Sequence, residues 1–97
     1  MTTKNEEEHP LVVKFRSALL KRGVSGIKHI GMYFQQMDEN HNLTLTLFEF
    51  KNGIINHNLS MKEQEIDELF KLFDKNNEGV IDYEEFIKSV RVETLLI

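Results

Sequence analysis

Two stretches of the sequence place oxygen-bearing side chains at a regular interval. Residues 74–85 read Asp-Lys-Asn-Asn-Glu-Gly-Val-Ile-Asp-Tyr-Glu-Glu. Asp74, Asn76, Glu78, Asp82 and Glu85 fall at positions 1, 3, 5, 9 and 12 of this segment, and the Val80 carbonyl can fill position 7. A hard cation of calcium's size takes about six to eight oxygens at roughly 2.3–2.6 Å. A loop that folds round such an ion presents alternate residues to it, and Glu85 arrives from the following helix as a two-oxygen clamp. Gly79 at position 6 supplies the left-handed backbone of the sharp turn, which a residue with a Cβ adopts only at a cost.

Residues 38–49 repeat the spacing. Asp38, Asn40, Asn42, Thr44, Thr46 and Glu49 occupy positions 1, 3, 5, 7, 9 and 12, but Leu43 stands where the turn calls for glycine. A branched side chain held at positive φ costs about 1–2 kcal/mol. The charge differs too. Asp38 and Glu49 are the carboxylates among these ligands, against Asp74, Glu78, Asp82 and Glu85 in the second loop. Residues 74–85 are therefore expected to form the stronger Ca2+ site, and residues 38–49 a weaker or vestigial second one.

Helices must hold these loops. Pro10 suits a first helical position, and Leu11, Phe15, Ala18 and Leu19 recur at helical spacing before Gly23. Residues 10–24 thus read as an N-terminal helix. Ser25 is placed to cap the next helix, whose apolar face is Ile27, Ile30, Phe34 and Met37. A third runs from about Leu47 to Asn56 with Leu47, Phe50 and Ile54 inward, and residues 56–59 form a linker. Ser60 and Glu63 are spaced as a capping box for a helix carrying Ile66, Leu69, Phe70 and Phe73. The last helix holds Phe86, Ile87 and Val90. With no convincing strand beyond two or three residues, the class is all-α.

Sliding the chain against itself by 36 residues pairs Phe34 with Phe70, Asp38 with Asp74, Asn40 with Asn76, Glu49 with Glu85 and Phe50 with Phe86. Every identity is a helix-core or loop-oxygen position, as expected of a duplicated helix–loop–helix unit.

Residues 25–92 accordingly resemble a pair of EF-hands. The resemblance implies two hands packed face to face, with Leu45 and Ile81 at loop position 8 joined in a short antiparallel bridge. Glu78 departs from the usual Asp, Asn or Ser at position 5. The stretch Leu20-Lys-Arg-Gly-Val-Ser-Gly-Ile27, followed by Phe34-Gln-Gln-Met-Asp38, is similar to the start of calcyphosine-like proteins. The polar start, unlike a signal peptide, and the lack of a membrane-length apolar run read as a cytoplasmic setting, and the likeness leaves a ciliary or cytoskeletal one open.

Composition narrows the function classes. With 97 residues the chain is one domain. It has no cysteine, which removes disulfides, thiolate zinc sites and thiol catalysis. His9, His29, His41 and His57 make no i, i+4 pair. No nucleophile triad, phosphate loop or metalloprotease motif is visible, so the chain is not read as an enzyme. Twelve basic against 16 acidic residues give −4, a poor balance for phosphate contacts, and no nucleic-acid partner is expected. No apolar run reaches the roughly 20 residues of a membrane span. The polar start, MTTKNEEEHP, is expected to be a disordered tail over residues 1–9, and residues 93–97 an apolar tail. Phe48 and Ile55, opposite Phe50, are expected to meet the N-terminal helix through Leu11, Phe15 and Leu19. The expected function is a sensor or adaptor in which Ca2+ opens an apolar groove lined by Phe34, Met37, Phe70, Phe73 and Phe86 for an amphipathic helix of a protein partner. A buffer, or a structural module of a larger assembly, is the alternative.

Overall fold

The computed structural model describes residues 9–24 and 26–90. Helix α1 spans Pro10–Lys21, α2 Gly26–Met37, α3 Leu47–Asn56, α4 Glu63–Phe73 and α5 Tyr83–Val90, and two short strands, β1 (Thr44–Leu45) and β2 (Ile81–Asp82), lie in the loops. The strands pair antiparallel, with Leu45 opposite Ile81 and Thr44 opposite Asp82. The architecture is all-α, two helix–loop–helix units joined by this bridge. Residues 1–8, Ser25 and residues 91–97 lie outside the described residues; His9, expected in the disordered tail, caps α1 instead.

Each helix starts and stops for a local reason. Pro10 stands at the first turn of α1, and His9 Nδ1 accepts from the Leu11 N–H at 3.1 Å. Gly23, at φ +80°, lets the chain reverse so that the Val24 N–H donates to the Leu19 carbonyl at 2.9 Å. Helix α3 opens on a complete capping box: Thr46 Oγ1 accepts from the Glu49 N–H, and Glu49 Oε1 from the Thr46 N–H.

The expected cap at Ser60 is corrected. Ser60 lies at φ +58°, and α4 begins at Glu63 with Lys62 as its cap residue. Glu65 Oε1 accepts from the Lys62 N–H at 2.9 Å, so the carboxylate that closes the turn lies two residues further on than expected. The neighbouring Leu59 is buried in the core rather than serving as linker, and seating it there turns the following residue into the left-handed region.

The core is a knot of aromatic rings. Phe15 of α1 is fully buried, its ring centroid 6.5 Å from Tyr33, 5.9 Å from Phe50, 5.8 Å from Phe73 and 6.3 Å from Phe86. These four belong to α2, α3, α4 and α5, so one side chain of α1 touches a ring from every helix of the pair. Leu19 is buried one turn along.

Two expectations about exposure fail for this reason. Phe48 and Ile55 are 69% and 56% exposed. The apolar residues of α1 expected to cover them enter the space between the hands instead, where more apolar area is available. Ile27 shares the stripe of Ile30, Phe34 and Met37, but it sits in the first turn after the α1–α2 reversal and is 47% exposed. Tyr33 takes an inward place that the spacing argument did not assign to it.

Phe15→Ala is expected to destabilise the fold by about 3–5 kcal/mol in urea unfolding, whereas Phe48→Ala stays within about 0.5 kcal/mol. Equal effects would contradict the placement of α1. A pH test follows from Glu65. The Lys62 backbone N–H, and then the Lys14 ammonium, hold its carboxyl below the usual glutamate range. Its contribution is present above the unfolded value near 4.5 and is lost as pH falls through the lowered folded value. Glu65→Gln should therefore flatten the acid limb of the stability curve and leave its neutral plateau shape unchanged.

Candidate metal centre

The two loops fold alike, residue for residue. In the second, the Glu78 N–H donates to Asp74 Oδ1 at 3.0 Å and the Gly79 N–H to Asp74 Oδ2 at 2.8 Å. In the first, the Asn42 N–H donates to Asp38 Oδ1 at 3.3 Å and the Leu43 N–H to Asp38 Oδ2 at 2.8 Å. Both loops turn through two left-handed residues, His41 and Leu43 in one, Asn77 and Gly79 in the other. Leu43 thus adopts the glycine conformation at φ +66°, with its side chain 57% exposed. The backbone is retained, and the cost is local strain.

Burial adds an electrostatic reason for a cation. Asp38, Glu49 and Asp74 are 1%, 8% and 6% exposed. Buried carboxylates are costly unless paired or hydrogen-bonded, and these are held by backbone N–H groups rather than by lysine or arginine. Glu85 is half-buried, its Oε1 accepting from the Asp82 N–H at 3.0 Å while Asp82 Oδ1 accepts from the Glu85 N–H at 2.8 Å. That leaves Glu85 Oε2 facing the loop interior.

Position 3 completes the fit. The Asn76 amide lies 3.0 Å from Glu85 Oε2 and 3.3 Å from Asp74 Oδ1. With its NH2 turned inward it donates to both carboxylates. With its oxygen inward, oxygens from positions 1, 3 and 12 converge, an arrangement that repels unless a cation lies among them.

Loop 38–49 differs at position 5, where Asn42 Oδ1 accepts from the Thr44 N–H at 3.2 Å and from the Thr44 hydroxyl at 3.0 Å. Asn40 is exposed, as Asn76 is. Thr46 and Glu49 cap α3 with the same reciprocal bonds that Asp82 and Glu85 make at α5. In the second loop Glu78 is exposed, and the Val80 carbonyl belongs to a half-buried residue at the start of the bridge. Among the described residues no three His, Cys, Asp or Glu side chains converge as a metal group; the convergence seen at 74–85 runs through an amide. Sequence spacing could name these oxygens. It missed that Asp38 and Glu49 are as deeply buried as Asp74, and that Leu43 O accepts from the Tyr83 N–H at 3.1 Å, tying the loops together beyond the bridge.

Fold and loops define a paired helix–loop–helix module built for a hard divalent cation. Residues 27–91 match the EF-hand domain pair; the chain belongs to this family and binds Ca2+. It is 35% identical over 80 residues to crustacean calcium-binding protein 23 of Faxonius limosus, covering 82% of this chain and 40% of that protein. It is 36% identical over 75 residues to the probable calcium-binding protein CML21 of Arabidopsis thaliana, covering 75% and 32%. It is also 32% identical over 69 residues to calcium-dependent protein kinase 34 of Arabidopsis thaliana, where the match spans 13% of the kinase. The chain thus spans less than half the length of these relatives. No helix among the described residues is long and apolar enough to cross a membrane.

Leu43→Gly removes the strained position and should tighten calcium at loop 38–49 by up to about tenfold, the equivalent of about 1.4 kcal/mol. Calorimetry reads this directly, and unchanged heats would show that Leu43 does not limit the loop.

Proposed function

We propose that the chain is a calcium sensor or adaptor without catalytic activity. Its tighter site is Asp74, Asn76, Glu78, the Val80 carbonyl, Asp82 and Glu85; its weaker or vestigial one is Asp38, Asn40, Asn42, Thr44, Thr46 and Glu49. The observation that carries the reading is adjacency. Glu49 and Glu85, the twelfth residues of the loops, directly precede Phe50 and Phe86, and both rings lie in the knot around Phe15. A carboxylate drawn onto an ion in the first turn of α3 or α5 therefore moves a ring that holds the helices together. Opening the hands in this way bares the face of Phe34, Met37, Phe70, Phe73 and Phe86 to an amphipathic helix of a protein partner.

A second reading has its own support. All five groove residues are buried, at 7% exposure or less, which suits a buffer that binds calcium without changing shape, or a structural module of a larger assembly with weak or no calcium regulation. The Leu20–Ile27 and Phe34–Asp38 stretches support a calcyphosine-like member, working in the cytoplasm or at a ciliary structure.

Calcium calorimetry on the wild type beside Glu49→Gln and Glu85→Gln, with an apolar-surface dye in parallel, separates these. The expected result is two binding events, the tighter lost in Glu85→Gln by at least about tenfold because a charged ligand is removed, and a dye signal that rises with calcium. Heats without a dye response would leave a buffer. No heat at millimolar calcium would leave a structural module.

A further inference from the structure

The groove proposed above already holds a helix. Helix α1 lies between the hands with Phe15 and Leu19 at 0% and 1% exposure, and Leu11, Val12 and Ala18 pack against the same core. Its polar contacts run to the rim. Lys14 Nζ donates to Glu65 Oε1 and Oε2 at 2.9 and 3.0 Å, and His9 lies 3.4 Å from Glu68. Arg16 Nε donates to the Val90 carbonyl at 2.9 Å. The helix is thus seated as a ligand would be, by an aromatic anchor at the centre and basic groups on an acidic rim.

We infer that α1 is the groove's ligand in cis, and that the partner in trans is a basic amphipathic helix repeating its pattern. That pattern is apolar residues spaced as Leu11, Phe15 and Leu19, an aromatic ring at the middle one, and basic residues spaced as Lys14 and Arg16. This role rests on the calcium-opened groove of the sensor reading. The ring must be aromatic because it meets Tyr33, Phe50, Phe73 and Phe86 at once. The basic residue before it must reach Glu65, and the one after it the end of α5. Helix α1 is joined to α2 by residues 22–25. A tether this short gives it an effective concentration in the millimolar range. A partner therefore enters only when calcium has loosened α1, or when its own affinity outweighs the tether, and weak apolar helices are refused.

The probe is a fluorescein-labelled synthetic peptide of residues 9–24, titrated with the full chain in calcium. The Phe15→Ala/Leu19→Ala chain, whose own α1 cannot compete, should bind it roughly 100-fold more tightly than the wild type. Because that variant loses core contacts, a second one, Lys14→Glu/Arg16→Glu, loosens α1 by charge alone and should gain about tenfold. A peptide carrying Phe15→Ala should bind neither chain. Circular dichroism verifies that each variant is folded. Equal affinity of wild type and the charge variant would overturn the inference, as would failure of both folded variants to capture the peptide. Calcium heats on the same samples keep the two claims apart: normal heats and dye response without peptide capture sink only the assignment of α1, whereas absent heats sink the sensor reading itself.

Discussion

Each loop is organised around one buried carboxylate. Asp38 and Asp74 receive the backbone N–H groups of residues four and five places on, and this pair of bonds bends the chain into a cradle. The carboxylates are nearly withdrawn from water, so their charge is answered by backbone dipoles until a divalent cation answers it more fully. The remaining features follow from that bend. It sets the register of the β1–β2 bridge, points Glu49 and Glu85 back toward their loops, and fixes where α3 and α5 leave. The formal charge of −4 is correspondingly a metal-free number. Calcium removes repulsion as well as filling a cage, and an ion bound only by the folded state stabilises a small core.

The loops and the core meet through adjacent residues. Phe50 and Phe86 follow the twelfth loop residues, Leu45 and Ile81 sit in the bridge, and all four are fully buried. A shift of the first turn of α3 or α5 has little slack to absorb it, because closely packed rings transmit displacement. Phe15 stands where those displacements meet. The close seating of Met37 over Gly53 has the same character: its side chain occupies the space a Cβ at that position would need.

Much of this was legible in the sequence, for physical reasons that differ by residue. The loop oxygens are specified by a short local rule, alternate residues turned toward one ion, so positions 38–49 and 74–85 could be named without a fold. The repeat at 36 residues likewise made the pairing of hands and the Leu45–Ile81 bridge readable. Long-range competition for apolar area was not readable. Phe15 and Phe48 are both phenylalanines on amphipathic helices, and only the assembled core decides that the first is buried and the second exposed. Ser60 and Glu63 satisfy the rule for a capping box, but burial of Leu59 shifts the backbone out of register with it. Leu43 marks the limit of a residue rule from the other side. Leucine disfavours positive φ, yet the Asp38 carboxylate and the cross-loop bond from Tyr83 hold it there. Residues 1–8, Ser25 and residues 91–97 lie outside the described residues.

We propose that loop 74–85 takes up calcium ahead of loop 38–49, the weaker or vestigial site. The amides of Gly79 and Leu43 report it most directly, since each donates to the anchoring carboxylate of its own loop at 2.8 Å. A calcium titration followed by two-dimensional amide NMR should move the Gly79 resonance to its end point at lower calcium than the Leu43 resonance. If neither resonance moves as calcium rises to millimolar levels, or if Leu43 saturates first, the account is contradicted.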